Sequence, residues 1–88
     1  MTQETPDRIV MYGTTWCSDC ARAKRVFERY AVGYDWIDIE RDPGAVDVVL
    51  KINGGMRSVP TIVFPDGSIL VEPSTRRLEE KLGVPGTP

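Results

Sequence analysis

Several residue types are scarce or missing in this sequence, and each absence excludes a class of function. The 88 residues contain no histidine and only two cysteines. A closed zinc site takes four ligands, mostly Cys and His, so one chain lacks the usual ligands and we expect no metal. Eleven Lys and Arg stand against 13 Asp and Glu, which argues against nucleic acid as the main partner. No apolar run approaches the roughly 20 residues of a membrane span, and we therefore expect no membrane association.

The start of the chain lacks the marks of an exported protein. "MTQETPDRIV" has neither a basic segment nor a long apolar one, so it does not resemble a secretory signal. We expect a cytoplasmic monomer with one domain over residues 1–88, in which 1–7 and 84–88 are flexible tails. Cytoplasmic thiols are kept reduced, and there a cysteine pair is more often catalytic or metal-binding than structural.

Apolar segments and turn signals alternate along the chain and predict the order β-α-β-α-β-β-α. A β-α-β unit needs parallel strands with a right-handed crossover, and "PDG" (65–67) predicts a hairpin. The sequence therefore predicts an α/β fold, with one mixed four-stranded sheet and three helices on its faces. The predicted strands are residues 8–12, 34–39, 61–64 and 68–71. The predicted helices begin after Cys17, Asp42 and Ser74 and are ended by Gly33, the segment 53–55 and Gly83.

Both cysteines lie in "TTWCSDCARAKRVFERY" (14–30), and three interpretations of the pair are open. A structural disulfide would close a very small loop and remove little entropy from the unfolded chain. A closed metal site would need carboxylate ligands or a second subunit, and an iron–sulfur cluster would be bridged by thiolates from two chains. A redox pair needs only that the two residues can meet. Residues three apart on a helix have Cβ atoms about 5–6 Å apart, near the roughly 3.5–4.5 Å of a disulfide.

The position of the pair at a helix start makes its two members unequal. Free backbone N–H groups and the helix dipole favour a thiolate at Cys17. Cys20 lies one turn further on, where burial should raise the pKa of its thiol. We therefore predict that Cys17 is the nucleophile and that Cys20 resolves the intermediate. The following basic residues, Arg22, Lys24 and Arg25, are expected on the solvated face of the helix.

A second motif, "RSVPTIVF" (57–64), places Pro60 directly before a strand. A trans proline is common as the first residue of a strand, whereas the redox context favours a cis Val59–Pro60 bond. The backbone N–H and C=O of Val59 could then pair with an extended substrate by strand addition.

These motifs resemble the thioredoxin superfamily and, within it, the glutaredoxins. The resemblance rests on "WCSDC" after a strand, "SVP" before a hairpin and the turn "PDGS", and it covers residues 8–83. More narrowly, "TTWCSDCARAK", "DIERDPGA", "INGGMRSVPT" and "FPDGSILVEPS" are similar to the actinobacterial mycoredoxins. Those are small glutaredoxin-like proteins that use mycothiol in place of glutathione.

The resemblance implies a thiol–disulfide oxidoreductase without a tightly bound cofactor. Its substrates would be S-thiolated proteins, and mycothiol or another small thiol would be the co-substrate. The residue in the position of the family nucleophile, Cys17, would take the small thiol from a mixed disulfide. A second mycothiol or Cys20 would then release it, and an NADPH-dependent flavoprotein reductase would regenerate the thiol.

Further residues around the two motifs are predicted to bind the substrate or modulate the thiols. Trp16 either faces the substrate or packs inward, and Arg57 either meets polar groups of the ligand or is a solvated loop charge. Asp19 either opposes a nearby thiolate or simply favours the helix dipole. The predicted substrate- and thiol-binding residues are Trp16, Arg57, Val59, Pro60 and Ser74, and the predicted modulating residues are Ser18 and Asp19.

The sequence departs from typical glutaredoxins where glutathione would bind. Their Gly-Gly segment after the hairpin is replaced by "VEPS" (71–74), which favours another thiol. One alternative is a redoxin reduced directly by thioredoxin reductase, of the type that serves ribonucleotide reductase. Such redoxins carry a Trp-Ser-Gly-Phe-type stretch near the last helix, and this chain has none. An alternative of another class is a dimer bridged by a metal or an iron–sulfur cluster.

Overall fold

Four strands and three helices alternate along residues 6–86, the part of the chain that the computed structural model describes. The order β-α-β-α-β-β-α confirms the prediction. The strands are β1 (Ile9–Gly13), β2 (Tyr34–Asp38), β3 (Thr61–Val63) and β4 (Ile69–Val71). The helices are α1 (Ser18–Arg29), α2 (Pro43–Ile52) and α3 (Thr75–Leu82).

The strands form one mixed sheet in the order β2-β1-β3-β4. β1 and β2 are parallel, with Ile9 opposite Tyr34, because α1 returns the chain to the same end of the sheet. β3 pairs antiparallel with β1 on one side and with β4 on the other. The "PDG" turn joins β3 to β4, as predicted, and the fold class predicted from the sequence is confirmed.

The sheet is covered on both faces by helices. On one face α1 and α3 bury Phe27 and Leu78 against Met11 and Ile62 of the sheet. On the other face α2 forms a smaller cluster, in which Val49 is fully buried. Side chains alternate between the two faces of a strand, and β1 therefore serves both clusters, with Met11 on the first face and Tyr12 on the second.

The helix starts predicted from the sequence are all confirmed. Cys17, Asp42 and Ser74 are the N-caps of α1, α2 and α3, and each side chain accepts a backbone N–H three residues further on. The end of α2 at Asn53 and that of α3 at a left-handed Gly83 also agree with the prediction.

The predicted end of α1 at Gly33 is wrong, because α1 stops at Arg29. Ala31 adopts a left-handed φ of 53°. Its N–H donates to Glu28 O at 3.2 Å, and the next N–H, of Val32, donates to Phe27 O at 2.8 Å. These two bonds form a Schellman motif. Alanine therefore takes the position that usually goes to glycine.

The predicted flexible tails fall largely outside the described residues, since 1–5 and 87–88 are not among them. Within residues 84–86, the N–H of Val84 donates to Glu79 O at 3.3 Å. None of the helices described between residues 6 and 86 has the length and apolar character needed to cross a membrane.

Candidate active site

Cys17 lies where the β1–α1 loop enters helix α1. Its φ and ψ, −82° and 119°, are those of an extended N-cap residue. Its Sγ accepts the Cys20 N–H at 3.4 Å, and its carbonyl accepts the Ala21 N–H at 3.1 Å. The sulfur thus caps the helix and satisfies one of the free backbone N–H groups of its first turn. The side chain is half-buried, so a substrate can reach it.

Cys20 lies one turn into α1 and is 1% exposed. Burial, as the main cause, and the nearby Cys17 together raise the pKa of its thiol to about 12. A backbone hydrogen bond from Thr14 and the charge of Lys24 act in the opposite direction. Both cysteines are free thiols. The surroundings of the two thiols therefore differ in the predicted way. Cys17 is accessible and caps α1, whereas Cys20 is buried and held protonated.

The Val59–Pro60 peptide bond is cis, as predicted. The loop brings the Val59 carbonyl to 3.8 Å from Cys17 Sγ, close enough for a weak hydrogen bond from the thiol. Val59 is half-buried, and Pro60 is buried beneath it. The nucleophile candidate and the strand-addition candidate, 42 residues apart in the chain, therefore meet at one place.

A buried hydrogen-bond chain holds this loop from behind. Thr61 is fully buried. Its Oγ1 donates to Ser58 O at 2.7 Å and accepts the side-chain N–H of Asn53 at 2.9 Å. The chain connects the end of α2 to the residue before Val59. These two hydrogen bonds therefore anchor the loop that carries Val59.

Trp16 is exposed over 71% of its surface, which excludes the packed alternative. Its indole N–H donates to Glu40 Oε1 at 3.0 Å, and this contact holds the ring at the rim beside Cys17. Asp19 in the first turn of α1 pairs with Arg22 at 2.7 Å, so part of its negative charge is compensated there. Ser18 is exposed at the first helical position.

The remaining predicted binding residues lie at the same end of the molecule or near it. Arg57 is exposed in the loop before Ser58 and has no ion pair within residues 6–86. Ser74 is exposed, but its hydroxyl is engaged as the α3 cap and accepts the Arg77 N–H at 3.1 Å. Glu72, in the "VEPS" segment, adopts a left-handed φ of 49° and donates its N–H to Pro60 O at 2.9 Å.

No cluster of three or more His, Cys, Asp or Glu side chains suited to a metal ion occurs among the residues that the structure describes.

Comparison with known proteins identifies the family. The family model described as Glutaredoxin matches residues 9–69. The chain belongs to the glutaredoxin family. Its members are thiol–disulfide oxidoreductases, and the chain is therefore an enzyme of that class.

Relatives of this glutaredoxin come from actinobacteria. A Mycobacterium tuberculosis protein assigned as a glutaredoxin is 40% identical over 74 residues, which are 84% of this chain and 88% of the relative. Mycoredoxin 1 of Corynebacterium glutamicum is 30% identical over 74 residues, 84% of this chain and 91% of the relative. The resemblance to mycoredoxin-like glutaredoxins that the sequence motifs indicated is confirmed.

Solved structures support the fold. A glutaredoxin from Archaeoglobus fulgidus superimposes with a TM-score of 0.72 at 26% identity, over 85% of both chains. A thioredoxin-like protein gives a TM-score of 0.78 at 23% identity over 90% of this chain and 99% of the other. At that identity the second match supports the fold alone.

The sequence did not predict the side-chain packing behind the two cysteines of this glutaredoxin. A Cβ on Gly13 would lie 2.5 Å from Cys20 Sγ and 2.8 Å from ring atoms of Trp36, so the buried thiol and the indole both pack on the bare glycine backbone. The Nζ of Lys24 lies 3.5 Å from the Trp36 ring centroid. The prediction of a solvated Lys24 is therefore wrong, because the residue is half-buried against that indole.

Thr14 and Thr61 were also missed as buried polar residues. Thr61 carries the hydrogen-bond chain behind the proline loop, whereas Thr14 Oγ1 is buried without a hydrogen-bond partner among the described residues. "PT" in "SVPT" could have drawn attention to Thr61, because a threonine inside a strand that is buried on both faces needs a partner. Nothing in the local sequence distinguishes Thr14 from the exposed Thr15.

Proposed function

We propose that the protein removes a small thiol, mycothiol, from S-thiolated proteins, with Cys17 as the nucleophile. The observation that carries the proposal is the setting of Cys17. Its Sγ receives the Cys20 N–H at 3.4 Å and lies 3.8 Å from the Val59 carbonyl. A nucleophile, a stabilising donor and a backbone edge for the substrate are thereby combined.

The first step is thiol–disulfide exchange. The Cys17 thiolate attacks the small-thiol sulfur of the mixed disulfide, a Cys17–small-thiol disulfide forms, and the sulfur–sulfur bond to the protein substrate breaks. The protein thiolate leaves with the electron pair of that bond and takes a proton from solvent. Val59 would align the substrate by pairing its N–H with an extended backbone, and the exposed Trp16 ring would cover the disulfide from the other side.

The second step regenerates the enzyme by one of two routes. In the monothiol route a second small thiol attacks the sulfur of the bound one, which frees Cys17 and forms the small-thiol disulfide. In the dithiol route Cys20 attacks Cys17 Sγ and expels the small thiol, which leaves a Cys17–Cys20 disulfide. Two further small thiols reduce that disulfide and are themselves oxidised to the small-thiol disulfide. The raised pKa of Cys20 makes its thiolate scarce at neutral pH, which favours the monothiol route whenever the small thiol is abundant.

The choice of mycothiol is supported by the sequence identity to mycoredoxin 1 and by the segment after β4. There Glu72 brings a carboxylate, and Pro73 a ring without an N–H, to the place where typical glutaredoxins have two glycines. An NADPH-dependent flavoprotein would reduce the resulting small-thiol disulfide. We place this cycle in the cytoplasm and the protein in a monomeric state, with Arg57 and Ser74 as contacts of the small thiol.

Cysteine variants test the mechanism on a small-thiol mixed disulfide of a model protein. Cys17→Ser should lose turnover by at least about 10³-fold, because a hydroxyl at this position is not a nucleophile at neutral pH. Cys20→Ser should keep turnover within roughly threefold through the monothiol route and should accumulate no intramolecular disulfide. Full activity of Cys17→Ser would refute the assignment of the nucleophile.

The identity of the thiol is tested by running three regenerating systems in parallel. Mycothiol with its reductase should support turnover, glutathione with its reductase should support less, and thioredoxin reductase alone should support little. Turnover with thioredoxin reductase alone would instead favour the redoxin alternative. A coloured, metal-containing dimer after anaerobic purification would favour the bridged-cluster alternative.

A further inference from the structure

The charged residues of this protein are divided unequally between the two faces of the sheet. Helices α1 and α3, which share one face, carry seven of the 11 basic residues. The same two helices carry only four of the 13 acidic residues. The basic residues are Arg22, Lys24, Arg25, Arg29, Arg76, Arg77 and Lys81, and the acidic ones are Asp19, Glu28, Glu79 and Glu80.

The segment that forms β2 and α2, residues 34–52, has the opposite charge. It holds five acidic residues against Arg41 and Lys51. The chain as a whole has a net charge of −2, so the positive potential of the α1–α3 face arises from the arrangement of the charges and not from composition. An approaching partner meets a positive side and a negative side, with Cys17 at the end of the molecule between them.

The positive side contains a groove between the two helices. It encloses about 500 Å³ and lies over the buried Val26. The α1 side of the groove carries Arg22, Arg25 and Arg29, whose spacing of three and four residues places them along one helix face. Glu28 on α1 and Thr75 and Glu79 on α3 complete the lining.

The groove begins close to the reacting sulfur. At a rise of about 1.5 Å per residue, Arg22 lies roughly 7.5 Å along the helix axis from Cys17, and Arg29 lies roughly 18 Å from it. Arg22 is paired with Asp19, and Arg29 lies over the Tyr30 ring. Arg25, in the middle of the row, is exposed and has no ion pair within residues 6–86. It is the arginine most available to a partner.

We propose that this groove docks an acidic segment of the protein whose mixed disulfide reaches Cys17. The inference rests on the proposed function and adds to it a preference among protein substrates. A carboxylate two to six residues from the modified cysteine could meet Arg25 while the disulfide lies at Cys17. Such sparse negative charges fit a groove that also holds Glu28 and Glu79, whereas the dense phosphates of a nucleic acid would be repelled by those two carboxylates.

Two peptides measure the preference directly. Each carries one cysteine in a mixed disulfide with mycothiol; three glutamates follow the cysteine in the first peptide, and three glutamines replace them in the second. At about 20 mM salt we expect kcat/KM for the acidic peptide to exceed that for the neutral peptide about two- to fivefold, the range of an exposed ion pair. At about 0.5 M salt, where charges are screened within a few ångströms, the ratio should fall to about one.

Matched variants locate the effect. Arg25→Gln should lower the ratio at least about twofold, and Arg25→Glu should lower it below one. Lys51→Gln, which removes one positive charge from the exposed surface of α2 on the other face, should leave the ratio unchanged. Circular dichroism confirms that the variants are folded.

The outcomes separate the two proposals. Equal rates for the two peptides, or a preference that survives Arg25→Glu, would overturn the docking groove and leave the proposed function intact. Failure of the wild type to turn over either peptide would overturn both. Inhibition by a single-stranded oligonucleotide at lower concentrations than by a glutamate-rich peptide would overturn the docking of acidic protein segments in favour of nucleic acid.

Discussion

We expect that the addition of a single methyl group at Gly13 destabilises the protein. Gly13 is the last residue of β1, directly before the loop that leads to Cys17, and its φ is not in the left-handed region. The substitution Gly13→Ala is therefore opposed by contacts alone. The new Cβ would lie 2.5 Å from Cys20 Sγ and 2.8 Å from two ring carbons of Trp36, whereas carbon atoms in contact are normally about 3.5–4.0 Å apart.

Neither neighbour of Gly13 can give way cheaply. Cys20 is 1% exposed, and the Trp36 ring is held under the Lys24 ammonium. Overpacking of this kind costs about 1–3 kcal/mol, and the lower unfolded-state entropy of alanine in a strand returns about 0.5–1 kcal/mol. A contact of 2.5 Å places the overpacking cost in the upper half of its range, at about 2–3 kcal/mol, so the net loss is about 1–2.5 kcal/mol. For a domain of this size, 1 kcal/mol shifts the Tm by about 4–8 °C, so the Tm of reduced Gly13→Ala should fall by about 4–20 °C.

The same substitution at Gly44 is the control. Gly44 lies in α2, and its added Cβ would approach nothing closer than Asp42 Oδ1 at 3.4 Å. Alanine there should stabilise by about 0.4–1 kcal/mol and raise the Tm by about 2–8 °C. Thermal unfolding followed by circular dichroism under reducing conditions measures both. A Tm of Gly13→Ala equal to or above that of the wild type would refute the close packing at β1.

The Gly13 variant also has a kinetic consequence. Because the methyl group displaces Cys20 Sγ, closure of the Cys17–Cys20 disulfide should slow while the monothiol route, which uses only Cys17, is less affected. Stopped-flow detection of the released small thiol, with and without excess small thiol, separates the two routes.

Two further predictions concern buried polar groups. In the folded reduced protein, iodoacetamide at pH 8 should modify Cys17 well before Cys20, which mass mapping would measure; equal labelling of both thiols would contradict this prediction. The raised pKa of Cys20 also means that its contribution to stability is complete below about pH 9 and is lost as the pH rises towards about 12. Urea unfolding over that pH range would measure the loss. Thr61→Val removes the hydroxyl that donates to Ser58 O; it should lower the free energy of unfolding by about 1–3 kcal/mol and should also lower kcat/KM. Thr14→Val is the control, because the Thr14 hydroxyl is buried without a partner within residues 6–86, and in the same urea unfolding experiments it should be neutral or stabilising. Equal losses of stability in the two variants would show that the hydrogen bond of Thr61 is not their cause.

The two cysteines differ in what surrounds them more than in their place along the helix. Cys17 is half-buried and its sulfur receives a backbone N–H. Cys20 lies against Gly13, and burial raises the pKa of its thiol. This inequality supports attack by the first thiol and delayed resolution by the second. It also agrees with the proposed use of a small thiol as reductant.

Local sequence determined the helix starts, because an N-cap is a local interaction. Asp42 followed by Pro43, and Ser74 ahead of α3, cap the backbone within three residues. The parallel pairing of β1 with β2 and the antiparallel pairing of β3 with β4 also followed, since a β-α-β unit and a short hairpin each have one common solution. The end of α1 did not follow from the sequence, because Gly33 was expected to end the helix. The Schellman motif that ends it has Ala31 in the left-handed position instead.

Only the tertiary structure decided what lies behind and beside the cysteine pair. The Trp36 ring and Cys20 Sγ both pack on Gly13, which joins β2 and α1 to β1, and the approach of Val59 to Cys17 spans 42 residues. The row of arginines was visible in the sequence as a solvated helix face; only the packing of α3 beside α1 makes it one wall of a groove. Periodicity and capping are properties of residues that are neighbours in the sequence. The pKa shift of Cys20, the close packing on Gly13 and the groove arise from segments that meet only when the sheet assembles. The sequence "WCSDC" therefore determined that the protein has a pair of thiols, and the fold determined which sulfur is accessible and which is buried.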